Sequence, residues 1–76
     1  MGIEIDAVKA LIKEDFRGNT SWFAEIIGID RGYLSKILSG EVSNRSKKAI
    51  DGIISYCEKK GIDYHKYIIF FEESRA

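Results

Sequence analysis

The chain contains no proline, a single cysteine and a single histidine, and its charges cancel to a formal net of zero. Each scarcity removes a class of explanation. Without proline there is no polyproline spacer, and with no repeat or low-complexity segment either, the chain reads as four or five helices joined by short links. The one cysteine, Cys57, can form neither an internal disulfide nor a structural zinc site, so it is expected to be a small apolar core residue. His65 stands alone, no glycine-rich phosphate loop follows a strand, and Cys57 has no partner for nucleophilic chemistry. An enzyme is therefore not expected, and His65 reads as a surface residue of the C-terminal tail. Clusters of His, Cys or carboxylate at ligand spacing are missing too, so neither a metal nor another cofactor is expected, and no small-molecule ligand is evident. No apolar run approaches the roughly 18 residues of a membrane span. The acidic start MGIEID lacks the basic lead and apolar core of a signal peptide, so a cytoplasmic protein is expected.

What is present suits a globular protein. The 76 residues are 45% hydrophobic and 32% charged, which fits one domain over residues 1–76, near the lower size at which a single core is stable without staples. The zero net charge hides an uneven distribution. Between positions 31 and 48, Arg31, Lys36, Arg45, Lys47 and Lys48 stand against Glu41 alone, a net of +4 that leaves −4 for the remainder. Such asymmetry is the electrostatic footprint of a polyanion-binding face, or else a solvated face that binds nothing.

Hydrophobic spacing organises the chain. Ile5, Val8, Leu11, Ile12 and Phe16 recur at intervals of three and four, predicting a helix over about residues 4 to 16 that Gly18 closes. Thr20 or Ser21 is expected to cap a second helix that buries Phe23, Ile26 and Ile27 and ends at Gly28. Asp30 caps a third, running to about Ser39, with Leu34, Ile37 and Leu38 inward and Gly40 as its stop. After the loop GEVSN, Ser43 or Asn44 is the expected cap of a fourth helix whose inner side is Ala49, Ile50, Ile53, Ile54 and Cys57, and Gly61 ends it. The tail DYHKYIIFFEES is ambiguous: Asp63 can cap a helix, whereas positions 67 to 71 have strand preference. Helix is the expectation, with Tyr64, Tyr67, Ile68 and Phe71 on one face and Ile69 and Phe70 toward another. That is more apolar surface than a small core absorbs, which points to a partner.

The stretch AEIIGIDRGYLSKIL, with Ala24, Gly28, Ile29, Asp30, Leu34 and Ile37 in order, resembles the helix-turn-helix of the phage repressor and Cro-like DNA-binding family. The resemblance covers about residues 4 to 62, with the motif at about 20 to 39, and SKILSGE is similar to that family's usual exit from the recognition helix. It implies an all-α, four- to five-helix lambda-repressor-like domain. Ala24 would let the two motif helices approach, Gly28 allow the turn, Ile29 plug the corner, and Leu34 with Ile37 anchor the second helix. One position departs from the family: many members begin the first motif helix with glutamine, where this chain has Thr20 and Ser21, whose hydroxyls can still take a phosphate.

The outward side of the third helix is then Arg31, Gly32, Ser35, Lys36 and Ser39, with Tyr33 at the edge. Arg31, Gly32, Tyr33, Ser35 and Lys36 are the candidate base readers: Arg31 suits two parallel bonds to guanine, Ser35 either kind of base edge, and Gly32 leaves room for close approach. Thr20, Ser21, Ser39, Arg45, Lys47 and Lys48 are candidate phosphate contacts. Three cations at the start of the fourth helix oppose its dipole, and a phosphate partner would explain them. The resemblance implies a homodimer on a two-fold operator, with Tyr67, Ile69 and Phe70 as the dimerising residues. It also implies a nucleoid-associated transcriptional regulator bound to double-stranded DNA, a repressor from a bacterium, a phage or another mobile element. The competing expectation is a protein-interaction module of the same fold, contacting its partner through Trp22 or the aromatic tail.

Overall fold

Residues 1–70 are described by a computed structural model. Helix formation follows the apolar spacing closely. Helix α1 (Ile5–Asp15) buries Val8, Leu11 and Ile12, and the chain turns out of it through a Gly18 amide that donates to the Ile12 carbonyl at 2.9 Å. Helix α2 (Thr20–Ile27) buries Phe23, Ala24 and Ile27. Its cap is Asn19, one position earlier than expected: the Asn19 side-chain oxygen accepts the Trp22 amide at 3.0 Å, so Thr20 and Ser21 are already inside the helix. Ile26, expected inward, is exposed, because the buried stripe of so short a helix is filled by residues 23, 24 and 27.

Gly28 ends α2 with φ +79°, a left-handed conformation that glycine adopts without steric cost. Its amide and that of Ile29 return to the Ala24 carbonyl, so the reversal is hydrogen-bonded rather than loose. Asp30 then caps α3 (Arg31–Ser39) by accepting the Tyr33 amide at 3.1 Å. Leu34 and Ile37 are fully buried, 0% exposed, and Leu38 is half-buried. Burying each such side chain stabilises by about 1.5–3 kcal/mol, enough to fix how α3 lies.

Helix α4 (Lys47–Lys60) buries Ala49, Ile50, Ile53, Tyr56 and Cys57, with Ile54 half-buried. Ser46 caps it by accepting the Ala49 amide, not Ser43 or Asn44. Those two have other work. The Ser43 hydroxyl accepts the Arg45 amide at 3.1 Å, and Asn44 is tied to the N-terminal strand. Tyr56 joins Phe16 and Phe23 in an aromatic cluster, with ring centroids 5.0 to 5.8 Å apart. Gly52 makes the α2–α4 contact possible: a Cβ there would fall 2.3 Å from the Ile27 carbonyl oxygen.

As far as residue 70 the tail is not an α-helix. After Asp63 caps a single 3-10 turn (Tyr64–Lys66), the chain becomes a strand, β2 (Ile68–Ile69), antiparallel to β1 (Gly2–Ile3) with Ile3 opposite Ile68. The strand preference of this segment prevails because β1 offers it a partner and because Ile3 and Ile68 both sink into the core. Phe71 and the rest of 71–76 lie outside the described residues. The whole is a small, mostly helical domain of four α-helices with one short strand pair among the described residues.

Candidate nucleic-acid interface

Helix α3 packs chiefly against α2 and also against α1, and its inner anchors leave one face in solvent. Arg31, Gly32, Tyr33, Ser35 and Lys36 are all exposed. Arg31 and Lys36 make no side-chain hydrogen bond or ion pair among the described residues. Asp30, the neighbour that could have neutralised Arg31, has a carboxylate oxygen engaged with the Tyr33 amide. Gly32 has a local reason as well: a Cβ there would press to 3.0 Å on the capping oxygen of Asp30. The residue type thus protects the cap whether or not anything approaches from outside.

Two of the expected contact sets meet. Ser21, Trp22 and Glu25 of α2 line an open cleft with Ile29, Asp30 and Arg31, so the start of α2 and the start of α3 border one depression. Ser21 is exposed at its edge, while Thr20 is half-buried. Ser39 fits its phosphate role less well. Its hydroxyl donates to the Lys36 carbonyl at 3.1 Å and to a Glu41 carboxylate oxygen at 3.3 Å, finishing the helix and holding the one acid of the basic window beside it.

The basic start of α4 is held by a long-range clamp. The Asn44 side-chain amide donates to the Ile3 carbonyl at 2.8 Å, and the Ile3 amide donates to the Asn44 carbonyl at 2.9 Å. Strand β1 is therefore bonded to β2 on one side and to the loop before α4 on the other. Arg45, Lys47 and Lys48 follow directly and are exposed; Arg45 and Lys47 border one cleft with Met1 and Asp51. Lys47 already has a partner, Asp51 at 3.0 Å one turn on, but with side chains 88% and 59% exposed this pair is worth little. Lys48 has none among the described residues.

Of the dimerisation candidates, Tyr67 and Ile69 are half-buried, Tyr67 packing on the core, and Phe70 is exposed, its ring 5.1 Å from His65. His65 is more engaged than a bare surface residue: it stacks on Tyr64 at 4.7 Å and bonds Asp63 at 2.8 Å. These bonds from the His65 backbone and ring hold the Asp63 carboxyl below its ordinary range.

Sequence reasoning missed Asn19 and Gly52, and gave Asn44 a capping role in place of its bonds to Ile3. Asn19 carried a readable signal, since asparagine is at least as good a cap as threonine. A glycine inside α4 was a second signal, of close helix approach. Asn44 carried none, because its partner is 41 positions away. Among the described residues no group of His, Cys, Asp or Glu could hold a metal, and no helix is long and apolar enough to cross a membrane. Comparison with protein-family models, curated proteins and solved structures finds no match to this chain.

Proposed function

We propose that α2, the 28–30 turn and α3 act as a helix-turn-helix of the phage repressor and Cro-like kind, and that the chain is a sequence-specific regulator of transcription, a repressor, bound to double-stranded DNA. The observation that carries this is the division of α3. Leu34 and Ile37 are sealed in the core, while Arg31, Gly32, Tyr33, Ser35 and Lys36 stand in solvent, with both cations unpaired among the described residues. A helix so presented fits a major groove, where Arg31 at its start would take the two acceptors of a guanine. Ser21 on the rim shared with Arg31, and Lys48 on the clamped start of α4, are the phosphate contacts this geometry favours.

Pairing of two copies is supported at the tail, in a form different from the helix expected. Strand β2 is the edge of its two-stranded sheet, and Phe70 beside it is exposed. An open edge and an exposed aromatic together are a site where a second copy can add. Binding of labelled duplexes across a range of salt tests the reading: a steep fall in affinity with salt, joined to a preferred sequence, supports it. Binding that is weak and indifferent to both would remove it and leave the protein-interaction module, which the exposure of Trp22 favours.

A further inference from the structure

A second surface remains once α3 and the start of α4 have been assigned. Trp22 and Ile26 lie one turn apart on α2 and stay 46% and 49% exposed. Beside them a groove runs along the junction of α2 with the C-terminal half of α4. Phe16, Trp22, Ile26, Tyr56 and Ile62 line one stretch of it together with Lys60, and past Ile26, Tyr56 and Lys60, which both stretches share, it continues beside Lys59, Ser55 and Gly52.

Two features make this more than scattered apolar exposure. The Trp22 ring is braced edge-on against Phe16, centroids 4.9 Å apart, so its shape is set before anything binds, which lowers the ordering cost of association. The rim is charged in a defined way. Lys60 lines both stretches and Lys59 the second; both are exposed and have no ion pair among the described residues, while Asp15 lines the first stretch alone.

We propose that this groove docks an amphipathic segment of a partner protein, one that places large apolar side chains between Trp22, Ile26 and Tyr56 and carboxylates against Lys59 and Lys60. Apolar anchors in a preformed groove with a charged rim are how helical segments are commonly held. Nucleic acid fits poorly, because apolar and aromatic side chains make up most of the first stretch and its two charges, Asp15 and Lys60, cancel. A second copy fits less well than a separate partner. Among the described residues the other exposed large apolar side chains are Met1, which borders a cleft with Arg45, Lys47 and Asp51, Tyr33 in the first turn of α3, and Phe70, already assigned to pairing of the tails. Trp22 also lines the α2–α3 cleft, but Ile26, Tyr56, Lys59 and Lys60 do not, and the inference does not rest on the DNA-binding reading.

The test uses the full chain, isotopically labelled, and a short synthetic helical peptide with leucines along one face flanked by glutamates. Its counterpart has lysines in place of the glutamates. Resonances of Trp22, Ile26, Tyr56, Lys59 and Lys60 should shift with the acidic peptide, and the lysine version should bind about tenfold or more weakly. Ile26→Asp should abolish the shifts, and Lys59→Glu with Lys60→Glu should reverse the peptide preference; both changes are at exposed positions, and unchanged thermal melting would show the fold intact. Equal binding of the two peptides, or no localised shift, would overturn the proposal. So would the same shifts on concentrating the protein alone, which would make the occupant a second copy, or on adding duplex DNA, which would assign the lysines to nucleic acid.

Discussion

Arg31 and Leu34 share one helix and face opposite ways, which makes them a matched pair of tests. Arg31→Ala should remove about 1 to 3 kcal/mol of preference at one base pair of each half-site while sparing non-specific binding. Melting should not change, since the side chain is exposed and unpaired among the described residues. Leu34→Ala should cost about 2 to 5 kcal/mol of stability, read from denaturant unfolding, and lower all binding with it. Both residues were legible in the sequence because their signals are local: a capping Asp30, an apolar step of three, a glycine at the turn. Gly32 was only half legible. Its place in the first turn of α3 was clear, but its tight approach to the Asp30 carboxylate needed the cap geometry.

Elements depend on partners that no short window contains, and here the sequence reading fell short. The tail was expected to be helical from Asp63 as a cap, against the strand preference of positions 67 to 71, and β1 is only two residues long, too short for any period. Its pairing sets Ile3 opposite Ile68, and the Asn44 clamp joins Ile3 to the loop before α4, 41 positions on. Gly52→Ala tests a different joint. The added methyl would meet the Ile27 carbonyl oxygen, forcing α2 and α4 apart at a cost of about 1 to 3 kcal/mol, despite the better helix propensity of alanine. A gain in melting temperature would show that α2 and α4 do not meet so closely. On α4, Lys48→Ala should weaken binding to every duplex by a similar factor and reduce the salt slope by about 1, because a phosphate contact carries no sequence information. Affinity unchanged at low salt would assign Lys48 to a solvated surface. Phe70→Asp should shift a dimer toward monomer in sedimentation with helical signal retained.

At the scale of the molecule, burial sets how folding responds to pH. Cys57, Tyr56 and Tyr67 are raised above their ordinary values, chiefly by burial and secondarily by nearby acidic groups, Asp63 beside Cys57, Asp15 beside Tyr56, and Cys57 then Asp15 beside Tyr67. Each therefore stays protonated in the folded chain at a pH where the unfolded chain has lost the proton. Their contribution is whole below the unfolded values and is lost as pH rises through the folded ones. Stability followed by circular dichroism should hold through neutrality and fall above about pH 9 to 10. Asp63 has the opposite sign: its lowered value adds stability above the ordinary carboxylate range that is lost as pH falls through the folded value. The charge asymmetry, +4 in one window of a neutral chain, is likewise a property of the whole. It is what would make the proposed DNA-reading surface compatible with a net charge of zero. The most direct test of that surface is selection of bound sequences from a random duplex pool, run side by side with the native chain and with Arg31→Ala. The account predicts a two-fold symmetric motif from the native chain and loss of preference at one position per half-site from the variant. The same motif and affinity from both, with both folded, would contradict it.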